Sequence, residues 1–243
     1  MRALVALAVF AMLAPAASIA QVYAAWSDVD FLIDQRWSNI NNRLANERMG
    51  YIRKAAGLDS SGKSGRKSSS RGSGSSVANR SLLALGDTAS TDLSRLRPYL
   101  ATTRLSEQQA AQVLAMYNQV ADRLGVPYND SASGIAAFLA GSYAAYTNKP
   151  FPDAYYKPLY EQFANTLASD EGQKRTPKAQ RVEYYQRLVV VGMLYQLTQL
   201  ELQKNPRPGE VAKMREAAGR AFTEIAGISP DSIQFTAKGL APR

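Results

Sequence analysis

Apolar residues recur every three to four positions through most of this chain, and strict alternation is rare, so the pattern is one of amphipathic helices. In the first such segment, Asp28 to Ala56, the residues Val29, Ile33, Trp37, Ile40, Leu44 and Tyr51 fall on one stripe. Asp28, Asp30 and Asp34 at its start and Arg48, Arg53 and Lys54 at its end suit the helix dipole, and Gly57 is a natural stop. Further on, Ser106-Glu107-Gln108-Gln109 reads as a capping box opening a helix to Leu124, ended by Gly125 and Pro127. Asn129-Asp130-Ser131 caps a helix over about 132–147 with Ile135, Phe138, Leu139, Tyr143 and Tyr146 as its apolar face. Asp153 starts another, to about Ser169, with Tyr156, Leu159, Tyr160, Phe163 and Leu167 inward. Thr176 as N-cap and Pro177 at the first helical position open the longest helix, to about Lys204. Its stretch Leu188 to Leu194 is apolar on all sides, which marks a central, buried helix. Pro208 opens a last helix through about Ala226, with Val211, Met214, Ala218, Phe222 and Ile225 on one face, and the tail from Ser229 reads as irregular. The expected fold is all-α: a single bundle of about five helices over 80–243, preceded by a tethered amphipathic helix over 21–58.

Two segments stand apart from this pattern. Residues 1–20 place Arg2 before an apolar run from Ala3 to Leu13, then Pro15 and the small residues of Ser18-Ile19-Ala20. That order is a secretory signal peptide, and the run is shorter than the about 20 apolar residues a membrane span needs. Cleavage near Ala20 and export to a bacterial periplasm or exterior are the expectation. Residues 59–76 contain nine Ser, four Gly and four Lys or Arg, with nothing apolar to bury, so 59–79 reads as a flexible linker.

The formal charge is +9, and it is concentrated. Residues 48–80 hold Arg48, Arg53, Lys54, Lys63, Arg66, Lys67, Arg71 and Arg80 against Asp59 alone, whereas 81–243 are nearly balanced. A tract of this kind attracts polyanions by counterion release and needs no fold. Arg53, Lys54, Lys63, Arg66, Lys67 and Arg71 are therefore the candidate polyanion-binding residues. For an exported chain the partners would be anionic lipid or wall polymer; nucleic acid would be reachable only without export. The stripe of Trp37, Ile40 and Leu44 has two readings: it folds back on the bundle, or it binds an envelope protein or lipid surface.

The chain contains no His and no Cys. This excludes Ser-His-Asp and Cys-His catalysis, His-ligated zinc, iron–sulfur clusters and disulfides. Gly57-Leu58-Asp59-Ser60-Ser61-Gly62-Lys63-Ser64 matches the P-loop string, but a helix precedes it and a Ser/Gly linker follows, so the strand–loop–helix context that cradles phosphate is missing. No nucleotide is expected. Ser60-x-x-Lys63 and Ser64-x-x-Lys67 match a penicillin-binding-enzyme string in the same linker, which cannot hold a serine rigid beside its lysine. The familiar chemistry left is glycan cleavage by carboxylates, with a lysozyme-like acid in an apolar pocket. Glu161 and Glu183 lie near Tyr-containing faces and are its only candidates, against the plainer reading of solvated helix-face glutamates. The tyrosines at 143, 146, 155, 156, 160, 184, 185 and 195 sit at core spacing; a ring-stacking groove is the alternative. No cofactor and no metal are expected.

Gly125-Val126-Pro127-Tyr128-Asn129-Asp130, then Ile135-Ala136-Ala137-Phe138-Leu139 and Ser142-Tyr143-Ala144-Ala145-Tyr146, resemble a bacterial exported family catalogued as a domain of unknown function. The resemblance covers about residues 95–230. It implies export, a low-complexity stretch and an all-α domain, and carries over no activity. The reading that emerges is a non-enzymatic helical interaction module of the cell envelope with a basic tether, the alternative being a carboxylate-dependent glycan-cleaving enzyme.

Overall fold

The computed structural model describes residues 52–53, 80–101 and 105–243. The signal segment, the stripe of Trp37, Ile40 and Leu44, and the linker lie outside the described residues.

Five long helices carry the fold: α2 (Glu107–Leu124), α3 (Ser131–Thr147), α4 (Asp153–Ala168), α6 (Lys178–Lys204) and α7 (Pro208–Ala226). Two short ones, α1 (Arg97–Leu100) and α5 (Glu171–Arg175), fill connections, and the chain ends in a hairpin of β1 (Ile233–Thr236) and β2 (Gly239–Pro242). The all-α expectation holds. The predicted capping box is present in full: Ser106 Oγ accepts from Gln109 N–H at 3.2 Å, and Gln109 Oε1 accepts from Ser106 N–H at 2.9 Å. Gly125 closes α2 in the left-handed conformation at φ +64°.

The centre of the bundle is the α3–α6 pair. Helix α3 is buried along nearly its whole length, not on one face as its larger residues suggest, because Ala, Gly and Ser between them let neighbours approach from every side. Where the two helices cross, a methyl added to Gly141 would stand 1.9 Å from the Gly192 carbonyl oxygen, and one added to Gly192 would stand 2.4 Å from that of Ala137. Backbone meets backbone there, so only glycine fits. Helix α6 is the buried central helix its apolar run announces: Leu188, Val189, Val190 and Leu194 are all at 2% exposure or less.

Two expectations need correction, the cap of α6 and the tail. Thr176 does not cap α6: Pro177 holds the N-cap position and helix begins at Lys178, while Thr176 Oγ donates back to the Gly172 carbonyl at 2.9 Å and ends α5. Pro158 sits inside α4 without ending it, within the first turns, where little of the backbone ladder is lost. The tail is not irregular. It forms a two-residue hairpin pairing Ile233 with Pro242 and Phe235 with Leu240. Gln162 on α4 docks it as a further strand would, donating to the Leu240 carbonyl at 2.8 Å and accepting from its N–H at 2.7 Å. Phe235 packs edge-on to Tyr143 and Phe151, with centroids 4.7 and 4.9 Å away.

Ahead of α2, residues 81–100 wrap the bundle as turns and the short α1. Gln186 pins this wrap, its amide donating to the carbonyls of Ala89 at 2.9 Å and Asp92 at 2.6 Å. The isolated helical residue Ile52 is 2% exposed and belongs to the same hydrophobic core. Ile52→Ala is therefore expected to lower stability by about 2–4 kcal/mol, the range for truncating a buried isoleucine. Denaturant unfolding checks this; a change below about 0.5 kcal/mol, typical of a surface site, would show that Ile52 lies outside the core.

Candidate functional site

The basic tract meets the bundle at its C-terminal end. Arg80 Nη2 donates to Glu161 Oε2 at 2.7 Å and to Asn165 Oδ1 at 2.5 Å, both on α4. At the other end Ile52 is buried and Arg53 beside it is exposed. The charges of residues 54–79 thus lie between two points of contact with one helical body. Lys54, Lys63, Arg66, Lys67 and Arg71 themselves lie outside the described residues.

The two candidate glutamates are not brought to a common centre. Glu161 is half-buried on α4 and faces Arg80. Glu183 is on α6 and pairs with the buried Arg187 one turn on, whose guanidinium also lies 5.2 Å over the Tyr99 ring. Each carboxylate is engaged by an arginine, where a glycosidase acid stands against an apolar wall. Neither lines either of the two cavities described below.

The tyrosines are mostly core. Tyr156 donates to Tyr117 at 3.2 Å, and Tyr117 donates to the Ser133 carbonyl at 3.0 Å, all buried. Burial pushes the Tyr117, Tyr156 and Tyr185 hydroxyls well above their ordinary range, so all three stay neutral; Tyr117 and Tyr156 donate, and Tyr185 accepts from Asn129 N–H at 3.2 Å. Tyr143, Tyr146 and Tyr155 are half-buried at the rim.

Sequence reasoning treated Asp130 as a cap only. It is that: Oδ1 accepts from Ala132 N–H at 2.8 Å and from Ser133 N–H at 3.4 Å. It is also 5% exposed, and burial raises its pKa to about 6, with the two N–H donors and Arg80 pulling the other way. A carboxyl that holds its proton more tightly folded than unfolded gives stability that falls as pH rises from about 4 to about 6. The ionised form at neutral pH then costs on the order of 2–3 kcal/mol. Asp130→Asn keeps the cap and removes the charge. It is expected to be at least as stable as the parent at pH 7.5, with the parent gaining relative to it at pH 4.5; thermal unfolding at both values checks this.

One recess was invisible in the sequence. A cavity of about 120 Å³ opens where the C-terminal end of α2, the middle of α3, the start of α4 with the loop before it, and the late turns of α6 meet. Val120, Leu124, Ala140, Phe151, Tyr156 and Leu200 form its apolar wall, and Arg123, Asp153 and Gln196 bring polar groups to it. A second, shallower recess of about 380 Å³ is lined by Tyr146, Arg220, Glu224 and Pro230 among others. Burial raises the Glu224 carboxyl there, opposed by Arg220. Among the described residues no cluster of three or more Asp or Glu could hold a metal ion, and no helix is long and apolar enough to cross a membrane.

The sequence model of a family of unknown function (DUF6683) matches residues 1–243, the whole chain and not only the second half. No curated protein and no solved structure matches it.

Proposed function

The chain belongs to this family of unknown function, and from that premise we propose that it is a non-enzymatic, exported helical protein whose basic segment engages the anionic surface of a bacterial envelope. The single observation that carries the reading is the pair of contacts flanking the segment: Ile52 in the core on one side and Arg80 bonded to Glu161 and Asn165 on the other. A cationic stretch whose two flanking residues both contact one helical body has a smaller reach than a free tail. Eight basic residues against one acidic in 48–80 supply the charge, and phosphate or carboxylate groups of lipids and wall polymers are its natural counterpart. The two candidate glutamates, each held by an arginine, favour the binding reading over the glycan-cleaving one.

The test is co-sedimentation with anionic vesicles and with isolated cell-wall material, comparing the chain from Gln21 onward with a variant whose residues 59–76 are replaced by a neutral Ser/Gly segment of equal length. Binding should follow the charge. Equal binding by both would remove the basic segment from the account, and soluble fragments released from the wall by the parent chain would restore the enzyme reading.

A further inference from the structure

We propose that the end of the bundle at which the basic tract enters lies against an anionic lipid bilayer, with the side chains of Leu82 and Tyr128 seated among the headgroups. This names lipid, and not wall polymer, as the surface engaged, and it rests on the envelope reading above. Among the described residues, Leu82 and Tyr128 are the large hydrophobic side chains left exposed, at 38% and 41%. Both lie at one end of the molecule. Helix α6 is about 40 Å long. Its first turn carries Arg181, which donates to the Leu82 carbonyl, and Lys178, whose ammonium would stand 3.2 Å from a methyl on Gly86. Tyr128 belongs to the segment alongside: Ala84 and Asp130 form a β-bridge, and Leu85 N–H donates to the Asn129 carbonyl at 2.8 Å. The cationic tract reaches the body at the same place, since Arg80, just before Leu82 in the chain, is bonded to Glu161 and Asn165.

Charge and hydrocarbon contribute separately here. Lys178 and Arg181 at this end stand against Asp87 and the buried Asp130, and Arg80 against Glu161, so the end itself is nearly balanced and the attraction to an anionic surface comes from the tract. The glycan and peptide of a wall offer no hydrocarbon layer, so an exposed leucine gains nothing from them; a bilayer lets it leave water. Tyrosine suits the same depth, its ring toward the acyl chains and its hydroxyl in the headgroup layer. Two side chains fall far short of the about 800 Å² per partner that a stable protein interface buries. A modest apolar anchor combined with a polybasic stretch is, by contrast, the two-signal arrangement that holds a protein to an anionic membrane.

The chain contains no Cys, so a single introduced thiol can carry an environment-sensitive fluorophore. Leu82→Cys, Tyr128→Cys and, at the far end of α6, the exposed Lys204→Cys are labelled in the chain from Gln21 onward and mixed with vesicles of phosphatidylglycerol and phosphatidylcholine in equal parts. The first two labels should shift to the blue and be shielded from an aqueous quencher when vesicles bind; the third should do neither. Leu82→Ser combined with Tyr128→Ser should weaken vesicle binding by about tenfold and leave wall binding unchanged. The label readings stand whether or not that double variant folds as the parent does. With vesicles bound, first and second labels that behave as the third, or a folded double variant that binds as the parent does, would overturn the proposal and leave the electrostatic reading standing. Binding to wall material but not to vesicles would do the same. A blue shift on raising protein concentration without vesicles would overturn it by assigning the pair to a contact between copies. A parent that binds neither vesicles nor wall would remove both readings.

Discussion

Gly192→Ala is expected to destabilise the protein by about 3 kcal/mol or more, a large share of the stability of a domain this size. In an ordinary helix interior the same change would gain about 1 kcal/mol, because alanine loses less conformational freedom than glycine. Here the sign reverses. The new methyl would stand 2.4 Å from the Ala137 carbonyl oxygen and 2.7 Å from the Phe138 Cα, both main-chain atoms that no rotamer change can move. Helix α3 would have to shift away from α6, opening the centre of the core along both helices. Gly141→Ala is worse, at 1.9 Å from the Gly192 oxygen. Gly209→Ala is the control: nothing lies within 4 Å of its added methyl, so it should be neutral or slightly stabilising. Denaturant midpoints for the three variants check this. A Gly192→Ala protein as stable as Gly209→Ala would mean that the two helices do not approach as described.

Neutralising Lys63, Arg66, Lys67 and Arg71 together to Gln should weaken binding to an anionic surface by about a hundredfold to a thousandfold while leaving the fold intact. Each cation near such a surface contributes about 1 kcal/mol, so four contribute about 4 kcal/mol when all are engaged, and about 1.4 kcal/mol is a factor of ten. The remaining cations of the tract and the nearly balanced bundle behind it account for the residual binding. Thermal unfolding should be unchanged, since the contacts of Ile52 and Arg80 stay in place. A loss of both binding and stability would mean that these four residues hold the fold, against the division of labour proposed.

The bundle was largely readable from one-dimensional pattern because its determinants are local. Ser106 with Gln109, Gly125 in a left-handed cap and Asp130 at the head of α3 each act within a few residues, and each sits where the sequence puts it. The terminal hairpin was missed for the opposite reason. Ile233-Gln234-Phe235-Thr236 does alternate, but four residues are a weak signal, and what holds them is Gln162, 78 positions away, bonding to Leu240. The full burial of α3 was missed because its Ala, Gly and Ser positions carry little apolar signal; their value is smallness, which appears only when α6 is laid against them. The recess shows the same limit. Arg123 and Asp153 look like ordinary helix-end charges, and only the packing of α2, α3, α4 and α6 brings them to one recess. Asp130 was legible as a cap and not as a titrating group, since its burial comes from the wrap of residues 81–100 and the β-bridge between Ala84 and Asp130.

Electrostatic engagement of an anionic surface by the basic segment is measured most directly by the association constant of the chain from Gln21 onward for vesicles containing anionic lipid, taken across a salt series. Log K should fall linearly with log salt, and the slope should become shallower when Lys63, Arg66, Lys67 and Arg71 are neutralised. Binding of equal strength at low and high salt, or no binding at low salt, would contradict it.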